Sequence, residues 1–165
     1  MKKYELTAEF IEKWGKKLFR IKALISFGRV EVGELGGYVE KEDNLAQDGN
    51  AWVYGNARVC GNARVYGNAR VCGDARVCGD ADYLLIGRIG SRFSFTTFFK
   101  NKDKGITVSC GCFLGTIAEF RAKVSDTHGN NKHAKIYNLA ADMAELQILG
   151  EEHFDKLNTN KSEPF

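Results

Sequence analysis

Arg88, Ser91 and Arg92 stand together in "GRIGSR" (Gly87–Arg92), and Thr96, Thr97 and Lys100 follow closely. Arginine offers a planar fork of N–H donors that matches phosphate and carboxylate oxygens two at a time. Gly87 and Gly90 let backbone N–H groups approach a ligand. The set points to an anionic partner, either a nucleotide or an acidic protein face. It lacks the strand–loop–helix setting of a phosphate-binding loop. Ordinary charges at a sheet edge are the alternative.

Cys110 and Cys112 are separated by one glycine. On a strand, alternation puts both thiols on one face. With His128 and His133 they could form a four-ligand zinc site, although C-x-C is not the usual knuckle spacing. Inert buried thiols are the plainer reading, and no metal or cofactor is expected. General-base catalysis needs a group that titrates near neutral pH, most often a histidine. The histidines are His128, His133 and His153. Paired carboxylates and a nucleophile elbow are missing too, so the chain is read as non-enzymatic.

Upstream of these residues a six-residue unit recurs with little drift, as in "GNARVYGNARVCGDARVCGDA" from Gly61 to Ala81. Units begin at Gly37, Asp43, Gly49, Gly55, Gly61, Gly67, Gly73 and Gly79. In the clean units Ala and Val alternate with Arg and Tyr or Cys, the period of a strand with one buried face. Gly-Asn and Gly-Asp supply the bends. Such units are too short for hairpins, and a fixed period implies stacked coils. None of the histidines lies in this repeat.

The repeat resembles the hexapeptide-repeat proteins of bacterial and prophage type. The resemblance implies a left-handed parallel β-helix over residues 37–84, three units to a coil, and self-assembly as a homotrimer. Residues eighteen apart would then stack at the strand spacing of about 4.8 Å. Arg58 falls on Arg76, Cys60 on Cys78, Trp52 on Arg70, Tyr54 on Cys72 and Arg64 on Asp82. Cys60 and Cys78 would be near enough to bridge on oxidation. Arg58 and Arg76 would have to splay or share an acid, with Glu40 able to serve one end. Arg58, Arg76, Trp52 and Tyr54 form a second candidate surface, and the aromatic residues Trp52, Tyr54 and Tyr66 on the flat sides would favour assembly.

The expected fold class is mainly β: a short left-handed parallel β-helix between an N-terminal cap and a C-terminal α+β module. The cap, residues 1–36, would hold a helix over residues 8–17, capped by Thr7, and a strand from Leu18. The module, residues 85–150, has strand-like runs in "YLLIGRI", "FSFTTFFK" and "GITVSCGCF". Thr116 and Glu119 then make a capping box that opens a helix to about Asp126. A second helix covers Ala134–Leu149, and residues 151–165 read as a flexible tail.

Apolar residues make up 44% of the chain, enough for a core. A net charge of +3 is too small to argue for non-specific nucleic-acid binding. No apolar run reaches the roughly 18 residues of a membrane span, and the basic start has no export-signal core. Reduced thiols in a cytoplasmic protein are the default. The functional expectation is a non-catalytic interaction protein, partnered by a host protein or an anionic nucleotide, that antagonises a host defence system of the anti-CRISPR or signalling-nucleotide kind. Alternatives are a hexapeptide-type acyltransferase or zinc enzyme, and a structural virion module.

Overall fold

The computed structural model describes residues 1–159. The chain starts with a hairpin, β1 (Tyr4–Lys13) and β2 (Lys16–Ala23), joined by Trp14 and Gly15. Both turn residues have positive φ, 53° and 73°, as a tight two-residue turn between twisted strands requires. This corrects the expected helix over 8–17. Phe10, Ile11 and Trp14 share a helical face by spacing, but Ile11 pairs with Leu18 and Phe10 with Phe19 across the hairpin. Cross-strand pairing outweighs helical spacing here.

β3 (Leu35–Val39) pairs antiparallel with β2. The repeat supplies four strands of two residues each: β4 (Trp52–Val53), β5 (Arg58–Val59), β6 (Arg70–Val71) and β7 (Arg76–Val77). They pair parallel at the eighteen-residue offset: Trp52 with Arg70, and Arg58 with Arg76. Cys60 and Cys78 form a disulfide, with Cα atoms 4.3 Å apart. The expectation of reduced thiols is thereby corrected at these two residues, since the offset sets them side by side. Val53, Val59, Val65, Val71 and Val77 point inward and are wholly buried, each worth about 1.5–3 kcal/mol relative to exposure.

The first two units run out of frame. Val39 pairs with Val59 and Leu45 bridges to Val65, an offset of twenty. Val39 and Leu45 are therefore the inward residues, and Lys41 and Gln47 are not. Two extra residues are taken up between Leu45 and Trp52. The start of the chain fastens that segment. Gln47 accepts from the Lys3 backbone N–H at 2.8 Å, and Lys3 Nζ donates to the carbonyls of Asp48 and Ala51 at 3.2 and 2.9 Å.

The strands then run into β8 (Tyr83–Ile89), β9 (Ser94–Lys100), β10 (Ile106–Cys110) and β11 (Phe113–Thr116), an antiparallel sheet in the order β11-β10-β9-β8. Three strands were expected. The fourth arises because Gly111, at φ 58°, turns the third run back on itself. α1 (Ile117–His128) and α2 (Lys132–Leu149) pack on one face of this sheet. Along β9, Phe98 faces the helices and Phe99 faces the repeat. α3 (Glu151–Thr159) replaces the near part of the expected flexible tail. The rest of that tail lies outside the described residues.

The expected fold class and the hexapeptide-repeat resemblance are both corrected by these pairings. The protein is α+β, with one mixed sheet (β1-β2-β3-β5-β7), one parallel pair (β4-β6) and one antiparallel sheet. None of them is closed or solenoid-like. The physical reason is that the parallel strands are only two residues long. The β1–β2 hairpin adds antiparallel to one edge, and the chain turns antiparallel again at Tyr83. No described helix is long and apolar enough to cross a membrane.

Lys3 gives this half of the protein a pH signature. Its side chain is 2% exposed, and burial lowers its pKa to about 8, with nearby Asp48 opposing. An unfolded lysine keeps its proton to about pH 10.4. Between these values the unfolded state binds more protons, so this group makes stability rise with pH. Urea melts of wild type and Lys3→Met at about pH 7 and about pH 9.5 check this. Wild type should gain on the variant at the higher pH, and an unchanged gap would contradict it.

Candidate functional site

The turn between β8 and β9, the turn between β10 and β11, and the ends of α1 and α2 meet around a pocket of 350 Å³. Each element is fixed locally. Thr116 Oγ1 accepts from the Glu119 N–H, and Glu119 returns the bond to Thr116 N at 2.7 Å, so α1 starts where the capping box requires. Asn131 caps α2 through the Ala134 N–H. Arg121 on α1 holds Asp142 and Glu145 on α2, both at 2.7 Å.

The pocket is lined by Arg92, Lys123 and His128, with the hydroxyls of Ser91, Ser94 and Thr127. The rings of Phe113, Phe120 and Tyr137 line it as well. Phe120 meets Tyr137 edge-on at 5.7 Å, and His128 stacks on Tyr137 at 5.8 Å. Cys110 and Cys112 complete the wall, both as free thiols. No acidic side chain lines the pocket among the described residues. Burial raises the Tyr137 hydroxyl above its ordinary pKa, and Cys110 beside it adds to this, against the pull of Arg92. Tyr137 therefore stays a protonated donor.

The structure brings together Ser91, Arg92, Cys110, Cys112 and His128 from the residues singled out in the sequence. His133 lies behind His128, with ring centres 5.6 Å apart, and its buried Nδ1 has no partner. The four metal candidates do not converge, and no group of three or more potential metal ligands exists among the described residues. Thr96 and Thr97 are turned inward and buried. Thr96 donates to Cys110 Sγ, and Thr97 Oγ1 accepts from the Arg70 backbone N–H. Arg88 is exposed and outside the pocket. Lys100 pairs with Asp82 at 3.4 Å and lines a different, 760 Å³ cavity. That cavity is larger, but its Arg121 is already committed to Asp142 and Glu145.

Tyr54 and Arg70 line a smaller polar cleft of 220 Å³ next to the pocket, which shares Ser94 and Gly111 with it. Trp52 is wholly buried, packed edge-on against Phe27 and Tyr4, and offers no surface. Arg58 and Arg76 lie on another face of the repeat, beneath Trp14. Sequence reasoning missed Lys123, Phe113, Phe120 and Tyr137. The available signal was helical spacing: Phe120, Lys123, Val124 and Thr127 share one face of α1. No protein-family model matches the chain, and no curated protein is significantly similar to it in sequence.

Proposed function

We propose that the protein is a non-catalytic binding protein that holds an anionic ligand with an aromatic part, of nucleotide class, in the 350 Å³ pocket. The observation behind this is the make-up of its wall: the Arg92 and Lys123 cations, three hydroxyls and three aromatic rings line one pocket, and no carboxylate does. Charged forks recognise phosphate, and rings stack on a base. The volume falls within the range of small-molecule sites. Sequestering a signalling nucleotide, one of the two host-defence roles expected from the sequence, is the role this geometry suits. Blocking a host protein would need a wider face.

Calorimetric titration with adenosine monophosphate tests the reading. Arg92 has no ion pair among the described residues, so Arg92→Ala should fold normally. It should weaken binding about tenfold, the worth of one charge-assisted contact. Arg88→Ala, outside the pocket, should bind like wild type. Absence of saturable binding, or equal binding by Arg92→Ala, would refute the proposal.

A further inference from the structure

Arg58 and Arg76 are directly paired on β5 and β7, one above the other. Parallel neighbours sit about 4.8 Å apart, so two cations are stacked at close range. Both side chains are half-buried. Neither guanidinium makes a hydrogen bond or ion pair within the described residues, and Arg58 Nε is buried without a partner. The acids that could have served them are already engaged. Glu40 accepts from Lys16 Nζ at 3.1 Å and from the Gly61 N–H at 2.7 Å. Asp74 pairs with Lys102 at 3.2 Å.

Trp14 stands over both arginines, its ring centre 5.9 Å from the Arg58 guanidinium carbon and 5.6 Å from that of Arg76. A ring attracts a guanidinium through its face. Apart from the buried Arg58 Nε, the in-plane N–H donors, which are the ones that recognise oxyanions, are left unpaired among the described residues. Beside them lies a cleft of 240 Å³, lined also by Tyr38, Asn56, Lys102 and Asp74, whose carboxylate is neutralised by its pairing with Lys102.

We propose that this cleft is a second binding site, for a phosphate-class oxyanion held between the Arg58 and Arg76 guanidiniums. Unpaired like charges in adjacent strands are destabilising, and a doubly charged anion between them removes that cost. The cleft is smaller than typical small-molecule sites, so it takes a phosphate group and not a whole nucleotide. The group could come free in solution or as the monoester end of a larger molecule. This inference does not rest on the pocket near Arg92.

The experiment uses Trp14 as its own probe, because the other tryptophan, Trp52, is wholly buried. Inorganic phosphate and O-phosphoserine are titrated separately while fluorescence is read, with sodium chloride at matched ionic strength as control. A saturable change is expected. Tighter binding of inorganic phosphate identifies the free ion, and tighter binding of phosphoserine identifies a carried group. Arg58→Gln and Arg76→Gln should each weaken binding about tenfold, whereas Arg92→Ala should not. Without phosphate, the Gln variants should melt no lower than wild type, because each removes an unpaired charge. Phosphate should raise the melting temperature of wild type alone. If Arg58→Gln fails to fold, Arg76→Gln carries the test, since no atom of Arg76 is buried and unpaired. Absence of a saturable signal, or a signal unchanged in Arg76→Gln, would overturn the proposal.

Discussion

Val65→Asp should unfold the repeat, while Arg64→Asp, one residue away, should leave melting nearly unchanged. Val65 is 0% exposed and Arg64 is exposed. The surroundings of Val65 offer nothing to a carboxylate. Its backbone N–H donates to the Asn44 carbonyl and its carbonyl accepts from Ala46, both at 2.9 Å. The Asn44 amide is already spent on the carbonyls of Gly61 and Ala63. An unpaired buried charge costs about 4 kcal/mol or more, or about 10 °C or more in a chain of this size. Arg64 contributes its backbone carbonyl, which accepts from the Tyr83 hydroxyl, and Asp at that position keeps it. The Arg64–Asp82 contact expected from the repeat is not formed, since Asp82 accepts from the backbone of Cys78 and Gly79 and from Lys100. Equal losses in the two variants, followed by circular dichroism on heating, would contradict the inward and outward assignment.

Gly90→Ala should damage the protein far more than Gly73→Ala. Both glycines have positive φ, 76° and 66°, so both substitutions carry the left-handed strain of about 1–2 kcal/mol. They differ in their neighbours. A Cβ at Gly73 meets nothing within 4 Å, whereas one at Gly90 would overlap the Tyr137 hydroxyl oxygen and its ring carbon. Tyr137 is packed between Phe120 and His128 and has little room to retreat. Overpacking adds about 1–3 kcal/mol. Any retreat also displaces the tyrosine from the pocket wall, so ligand binding should be lost together with stability. Chemical denaturation of the two variants side by side decides this, and matched losses would show that strain alone is at work.

Parts of this architecture could be read directly from the residues. β8 matches "YLLIGRI", and α1 begins at the Thr116–Glu119 box, because a short apolar run and side-chain caps are local signals. The eighteen-residue stacking was also legible, because it needs only a period. The closed architecture inferred from that period was not correct, since strand length and the direction of flanking chains also decide how a sheet grows. The frame slip was hidden because Leu45 and Val39 are apolar at places where the strict repeat asks for Ala. At the pocket, Ser91 and Arg92 were visible by type. Their aromatic counterparts come mainly from helices, and only packing brings these to the turn. Thr97 looked available but is spent on Arg70, a contact between units that no local pattern announces.

The Cys60–Cys78 bridge has a topological consequence. It joins two points of the chain that are already neighbours through strand pairing, so it closes a ring that includes the exposed residues Asn62, Arg64 and Tyr66. A backbone cut anywhere in that ring opens it without dividing the molecule. Both halves stay one covalent piece until a reductant breaks the sulfur link.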